Sequence, residues 1–192
     1  VQMLQHQGVD YLAAAFADEG VLLRERGIMM PVVVLNADAD SFDQMIANRL
    51  EPEIYSFRSL ADFADAVSHA GETRYPVHIK LDTGMHRLGF MEGEIGRLCE
   101  VLPTLPAVKV ASVFSHLNCA DMPGEDAYTR EQIARYDRMS AAVAASLPYS
   151  VIRHTANSAA IERFPEARFD MCRLGLGLYG FGWEHNAGLR PV

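Results

Sequence analysis

Residues 77–90 of the chain read VHIKLDTGMHRLGF, and this stretch indicates the fold. Its first six residues alternate, which predicts a strand with one apolar face and one face that carries His78, Lys80 and Asp82. A buried polar group without a partner costs about 1–3 kcal/mol, so three of them on one strand need a reason. One interpretation is a solvated strand end in which Lys80 pairs with Asp82. The other places chemistry in the loop around Gly84, because α/β proteins build their sites at the carboxyl ends of parallel strands.

Short apolar runs alternate with longer amphipathic segments along the whole chain. Strands separated by helices of ten or more residues imply βαβ crossovers and a parallel sheet. The expected strands lie at 11–16, 31–35, 54–56, 77–82, 108–117 and 151–155, with a strand or turn at 171–178. We therefore predict one domain, residues 1–192, that forms an incomplete (β/α)8 TIM barrel of about six to seven units, since a complete barrel has about 250 residues.

Charge and composition narrow the classes of partner. The 192 residues carry 17 basic and 25 acidic side chains, and the net charge of −8 argues against nucleic acid or an anionic membrane as the main partner. Three widely spaced cysteines do not form a disulfide framework, so a reducing cytoplasm fits best. No run approaches the roughly 18 apolar residues of a membrane helix.

Polar clusters follow four successive predicted strands, and a parallel barrel would bring them to one rim. The clusters are Lys80/Asp82/Arg87, His116/Asn118/Asp121, His154/Asn157/Ser158, and Arg173 with Gly175 and Gly177. The two glycines and Ser158 are typical of a barrel phosphate cradle, although glycines also relieve crowding in a tight strand. His116 and Cys119 alone do not make a metal site, so none is predicted.

Four motifs, in this order and spacing, resemble alanine racemase, a pyridoxal-phosphate enzyme with a type III barrel fold. They are HIKLDTGMHRLGF (78–90), SHLNCAD (115–121), RHTANSAAIERFPE (153–166) and FDMCRLGLGLYG (169–180). The resemblance implies a cytoplasmic, homodimeric isomerase that interconverts L- and D-alanine for cell-wall peptidoglycan. FRSL (57–60) and the 163–180 region look similar to racemase halves of bifunctional proteins that also carry a peptidoglycan-precursor ligase.

The resemblance also implies roles for particular residues. Arg173 matches the arginine that bonds the cofactor's pyridine nitrogen, and its permanent charge keeps that nitrogen unprotonated, which favours racemisation over decarboxylation or transamination. His116 matches the histidine that supports this arginine. Arg87 matches the arginine near the cofactor's phenolic oxygen and the substrate carboxylate. Lys80 matches a lysine that is carbamylated in many relatives and orients that arginine.

The phosphate site is implied by the same comparison. Ser158 and the backbone amides of Gly175 and Leu176 match the groups that hold the cofactor's phosphate, and Asn157 matches a residue that shapes the same loop. Together with Arg173, His116 and Arg87 they form the expected cofactor-binding set.

Two parts of the family pattern find no match in this sequence. The family attaches the cofactor to a lysine in a KANAYGHG-like motif, and it takes a proton-transfer tyrosine from a C-terminal β domain of the partner subunit. The chain has two lysines; Lys80 already has a match, and Lys109 lies at the start of its predicted strand. Since racemisation needs a proton acceptor and a donor on opposite sides of Cα, we expect this chain alone, a piece that begins at Val1, to be inactive.

Three alternatives stay open at the level of sequence. A metal-dependent amidohydrolase-like barrel could use Lys80, His116 and His154, but the chain has no H-x-H pair for its first strand. A type III decarboxylase would need an acidic residue where Arg173 stands. The third alternative is a non-catalytic fragment that serves in interaction or binds pyridoxal phosphate without covalent attachment.

Overall fold

A computed structural model describes residues 1–182, 188 and 190, in which helices and strands alternate along the chain. The strands are β1 (Leu12–Ala14), β2 (Val32–Val34), β3 (Glu51–Ile54), β4 (Tyr75–Lys80), β5 (Val108–Phe114) and β6 (Ile152–His154). The helices are α1 (Gln2–His6), α2 (Ala17–Glu25), α3 (Phe42–Ala47), α4 (Phe57–His69), α5 (Ile95–Val101), α6 (Asp126–Ala145) and α7 (Ser158–Arg163). No helix in this described part of the chain is long and apolar enough to cross a membrane.

The six strands form one sheet in the order β1-β2-β3-β4-β5-β6, so each strand lies beside the next one in the sequence. The registers pair Ala13 with Val33 and Ile54 with Ile79, both in parallel, and β5 and β6 are also parallel. A helix follows each of the six strands. The predicted α/β class with a parallel sheet is confirmed, and the sequential order is that of successive βα units.

Two compact units make up the chain, and the first comprises residues 1–79 and 104–111. Its core contains the fully buried strand β2 and the apolar side of α4, where Leu60, Phe63, Ala64 and Val67 recur at helical spacing. A capping box begins α4, since the Ser56 hydroxyl accepts a hydrogen bond from the Ser59 amide at 3.1 Å. Tertiary burial and local capping therefore agree on where this helix lies.

The second unit comprises residues 80–103 and the chain from 112 onward. Its long helix α6 packs through Tyr136, which is fully buried and donates from Oη to the Val113 carbonyl at 2.7 Å. A second apolar cluster lies under α7 and includes Leu117, Ile133 and Phe164. These contacts anchor the carboxyl ends of β5 and β6, where two of the predicted polar clusters lie.

Strand β3 occupies a different position from the one expected. The sequence predicts a strand at 54–56, whereas the structure forms it at Glu51–Ile54. Residues 51–54 contain two glutamates, Glu51 and Glu53, so their sequence is too polar to indicate a buried strand, yet both side chains are buried. Glu51 is accommodated because its carboxylate lies 2.7 Å from Nε2 of the buried His78, an interaction between strands that the local sequence does not reveal.

The glycine-rich segment 171–178 forms no strand. It runs as irregular backbone into a short 3-10 helix at Leu176–Tyr179, which ends at Gly180 in the left-handed conformation. Three glycines within six residues weaken strand pairing, so the turn alternative for this segment is the correct one. A short N-terminal helix, α1, was not expected from the sequence.

Candidate functional site

The loop that follows β4, residues 82–89, carries Arg87 and is held in a defined turn. Oδ1 of Asp82 accepts hydrogen bonds from the amides of Gly84 and His86, each at 3.0 Å. This aspartate-capped turn (an Asx turn) allows the chain to reverse its direction immediately after the strand. Arg87 is exposed at the tip and makes no hydrogen bond or ion pair with any other residue that the structure describes.

Helix α6 supports this Arg87 loop from outside. Tyr128 Oη donates to the Gly84 carbonyl at 2.7 Å, and Arg135 Nη1 donates to the Thr83 carbonyl at 3.0 Å. The Thr83 hydroxyl in turn lies 2.7 Å from the Ser115 hydroxyl, on the segment that follows β5. The loop therefore has fixed points on a helix and beside a strand, while the Arg87 side chain extends away from them.

Arg173 is the most densely bonded side chain of the site. Its Nη2 donates to the carbonyls of Ser115 at 2.6 Å and Thr155 at 3.2 Å, and its Nη1 donates to Nδ1 of His154 at 2.8 Å. Nδ1 of His116 lies 3.5 Å from Nη2. The guanidinium is thus oriented by carbonyl oxygens and imidazole nitrogens on the carboxyl ends of β5 and β6.

His116 is kept neutral by its surroundings. Burial lowers the pKa of His116 to about 4, and the positive charges of Arg173, Lys80 and Arg87 act in the same direction. The ring therefore stays unprotonated at neutral pH. The cations near this neutral imidazole give the region a positive charge, which favours an anionic ligand.

Ser158 and the glycine segment form a second part of the site. The Ser158 hydroxyl accepts hydrogen bonds from the amides of Gly175 at 3.0 Å and Gly177 at 3.1 Å. A Cβ on Gly177 would lie 2.7 Å from Leu174 Cδ1, so the exposed Leu174 side chain would have to move, and 3.6 Å from the Ser158 hydroxyl, which is an ordinary contact. Converging amides and a hydroxyl are the donors that a phosphate group accepts from.

Comparisons of the chain with known proteins identify the family to which it is similar. The family model "Alanine racemase, N-terminal domain" matches residues 1–182. An alanine racemase of Symbiobacterium thermophilum is 38% identical over 177 residues, which is 90% of this chain and 46% of the relative. An alanine racemase of Synechocystis is 36% identical and covers 96% of this chain and 51% of its own length.

The chain belongs to the alanine racemase family.

Solved structures agree with this membership. A structure of the alanine racemase of Clostridium difficile 630 in complex with cycloserine has 32% identity and a TM-score of 0.91, and it covers all of this chain and 54% of its own. An alanine racemase from Bartonella henselae, described with covalently bound pyridoxal phosphate, shares the fold with a TM-score of 0.83 at 23% identity. The chain spans about half the length of the relatives it matches.

The residues predicted from the alanine racemase motifs lie in one compact unit, the second, but they are not equally close to one another. Arg173 and His116 are near each other, and Ser158 and Gly175 are bonded. Lys80 is buried with Nζ 4.9 Å from the centre of the Phe114 ring. Since Arg87 makes no hydrogen bond or ion pair with another described residue, the predicted support of Arg87 by Lys80, and the carbamylation of Lys80, stay predictions.

Asn157 and Leu176 make local contacts in the loops around Ser158. Asn157 caps α7, because its Oδ1 accepts from the Ala160 amide at 3.0 Å while its Nδ2 donates to the Leu117 carbonyl at 2.8 Å. The exposed Leu176 begins the short 3-10 helix, and the amides that converge on Ser158 are those of its two neighbours. Asn157 therefore links the start of α7 to the segment after β5, and the cofactor-site roles of Asn157 and of the Leu176 amide stay predictions.

The resemblance to alanine racemase gave no role to two residues of the site. His154 and Ser112 are buried and bonded to each other at 2.9 Å, and His154 contacts Arg173. The metal-dependent alternative used His154 and His116 as ligands, yet both present Nδ1 to a guanidinium. In the part of the chain that the structure describes, no group of three or more His, Cys, Asp or Glu side chains is arranged to hold a metal ion.

Proposed function

We propose that this chain forms the cofactor-binding part of an enzyme that interconverts L- and D-alanine with pyridoxal phosphate. The single observation that carries the proposal is the setting of Arg173, a permanent cation whose two terminal nitrogens bond carbonyls and imidazoles beside the Ser158 cradle. Such a group suits an electron-rich ring nitrogen that must not be protonated.

The donor set of the site fits pyridoxal phosphate. Ser158 and the amides of Gly175 and Gly177 would hold the phosphate, since the two amides and the hydroxyl lie within hydrogen-bond distance of one another. Arg173 would bond the ring nitrogen. When bound, the cofactor withdraws electrons from the amino acid and thereby acidifies its Cα–H bond.

The chain's own residues would bind and orient the substrate. Arg87 lies at the tip of a well-supported loop with a planar guanidinium that suits a carboxylate, so we propose that it anchors the carboxylate of alanine. The neutral His116 would contact Arg173 without adding charge to the ring-binding end of the site. Lys80, if carbamylated, would supply a negative partner for Arg87.

The finer properties of the parent protein are part of this proposal. They are a homodimeric, cytoplasmic enzyme for peptidoglycan synthesis, an incomplete (β/α)8 barrel in this chain, and fusion to a peptidoglycan-precursor ligase. The sequential parallel sheet supports the barrel, and family membership supports the enzyme class. The fusion rests on the resemblance of residues 57–60 and 163–180 to bifunctional racemases.

Binding of pyridoxine 5′-phosphate tests the proposed cofactor site. This alcohol retains the ring nitrogen and the phosphate but has no aldehyde, so it cannot react with surface amines. We expect calorimetry to detect binding by the chain, and Arg173→Gln and Ser158→Ala to weaken it at least tenfold, equivalent to about 1.4 kcal/mol. Arg58→Gln is the matched control, because Arg58 is 91% exposed on α4 in the other unit. Absence of binding at millimolar probe, or equal binding by all variants, would overturn the proposal.

A further inference from the structure

His154 lies between Arg173 and Ser112 and bonds both. Its Nδ1 is 2.8 Å from Arg173 Nη1, and its Nε2 is 2.9 Å from the Ser112 hydroxyl. Only 3% of the residue is exposed, and its ring stacks parallel to Phe114 with 5.0 Å between centroids. The stacking and the two bonds leave the imidazole one orientation.

The chemistry of the two partners determines where the proton of this ring lies. A guanidinium only donates hydrogen bonds, so Nδ1 of His154 must accept and carries no hydrogen. The neutral ring therefore has its hydrogen on Nε2, which donates to the Ser112 hydroxyl. Protonation would place an Nδ1–H against the Arg173 N–H groups and would bring two cations into contact.

The groups around His154 agree with a neutral ring. Besides Arg173, the nearby ionisable groups include Lys80, whose Nζ lies 4.9 Å from the centre of the Phe114 ring on which His154 stacks. His116 lies 3.5 Å from Arg173 Nη2, and Tyr136 bonds the Val113 carbonyl on the neighbouring strand. Arg153, the neighbour of His154 on β6, is paired with Asp137. A positive charge on His154 would lie directly against the Arg173 guanidinium.

We propose that His154 is a positioning residue for Arg173, and that the donor-only guanidinium at Nδ1 fixes it as the neutral Nε2–H tautomer, with Ser112 accepting the hydrogen bond from Nε2. A carboxylate acceptor would neutralise the charge of the guanidinium. A neutral imidazole orients the guanidinium without doing so, and Arg173 keeps its full positive charge for a ligand. The inference deepens the proposed function and rests on it for the identity of that ligand. The tautomer itself is a property of the chain alone.

Nitrogen NMR of the full chain with ¹⁵N-labelled histidine tests the tautomer directly. The His154 signals are those that vanish in His154→Asn. We expect an Nε2–H tautomer from pH 8 down to pH 5.5. Arg173→Gln replaces the donor-only guanidinium with an amide that can also accept, so His154 should then show a mixture of tautomers. Ser112→Ala leaves the guanidinium in place and should keep the Nε2–H form, as should Ser68→Ala, which removes a hydroxyl on α4 bonded to the Ala64 carbonyl. An Nδ1–H or a doubly protonated His154 at pH 7 would overturn the proposal.

Probe binding tests whether the acceptor atom matters to the ligand site. His154→Asn keeps an amide oxygen near the position of Nδ1, and His154→Leu does not. We expect His154→Leu to weaken pyridoxine 5′-phosphate binding about tenfold and His154→Asn to restore it to within about threefold. Equal affinity of both variants would contradict the positioning role. If the unaltered chain binds no probe, the proposed function fails, while the NMR result still decides the tautomer.

Discussion

Glycine at positions 84 and 89 is required by the backbone around Arg87. Both have φ near +130°, a conformation that side chains rarely adopt. A Cβ on Gly89 would lie 2.5 Å from the Asp82 amide nitrogen, and one on Gly84 would lie 2.4 Å from Tyr128 Oη. These two residues therefore permit the close approach of the loop to β4 and to α6.

Replacing Gly84 should destabilise the fold locally. We expect Gly84→Ala to lower the free energy of unfolding by about 1–3 kcal/mol, because the backbone is strained and Tyr128 must move. Urea denaturation measures the change. Gly96→Ala is the control: it lies in α5 with no atom within 4 Å of its added Cβ, so it should be neutral or stabilising by up to about 1 kcal/mol. A Gly84→Ala variant as stable as the Gly96→Ala variant would contradict the strain argument.

The neutral state of His116 predicts a pH dependence of stability. The ordinary pKa of histidine is about 6.5, and the pKa in the folded chain is about 4. Between these values the unfolded chain binds a proton that the folded chain does not, so stability falls as the pH falls from 6.5 to 4, by up to roughly 3 kcal/mol. This loss of stability is complete below about pH 4 and absent above about pH 6.5.

Urea denaturation between pH 7.5 and pH 4.5 measures this dependence. His116→Asn removes the titrating group, so the loss of stability on acidification should be smaller in this variant. His6→Asn, an exposed position on α1, should keep the full loss. Parallel pH profiles for the unaltered chain and His116→Asn would show that the histidine is not held neutral.

Helix α6 acts as the outer support of the Arg87 loop. Tyr128 and Arg135 lie two turns apart on this helix, and each donates to a carbonyl of the loop. Arg135 is itself bonded to Glu131 at 2.7 Å, which limits its freedom. The position of Arg87 thus depends on a helix about 40 residues further along the chain.

Removing the Tyr128 hydroxyl should loosen this loop without unfolding the unit. We expect Tyr128→Phe to cost about 1 kcal/mol and to speed amide hydrogen exchange at residues 84–87 about fivefold. Exchange mass spectrometry after pepsin digestion gives the rates. Tyr179→Phe, at a position 60% exposed, serves as the control. Unchanged protection in Tyr128→Phe would mean that the helix does not hold the loop.

At the scale of the whole molecule, one unit contains the proposed site. Arg87, His116, Ser158 and Arg173 all belong to the second compact unit, which also contains α6 and α7. The first unit holds its own buried pair, His78 with Glu51, and its own apolar core. The residues of the proposed site and their supporting hydrogen bonds therefore lie within a single unit.

The 192-residue chain should not racemise alanine alone. Neither of its two lysines is placed for cofactor attachment, since Lys80 is buried against Phe114 and Lys109 lies at the start of β5, away from the carboxyl ends of the strands. A coupled assay for D-alanine should show no turnover above buffer. An alanine racemase of full length serves as the positive control. Turnover that rises in proportion to the chain's concentration would contradict this expectation.

Several parts of the site could be predicted from the sequence because they depend on local order. The alternation in β4 and the glycines after Arg173 predicted a site at the strand ends, and the MCRLG motif pointed to Arg173 itself. The position of β3 could not be predicted, because Glu51 is buried only through its contact with His78, 27 residues away. The sequence does not distinguish His154 from the other polar residues at the strand ends, because its two partners, Ser112 and Arg173, are distant along the chain.

The sequence by itself determined the parallel α/β class, the alanine racemase family and the residue types of the site, because these follow from periodicity and from motif order. Only the tertiary structure decided which atoms meet. Ser112 and His154 are 42 residues apart, and Ser115 and Arg173 are 58 apart. The direction of each hydrogen bond, and hence the proton on His154, depends on side chains that the packing of strands and helices brings together.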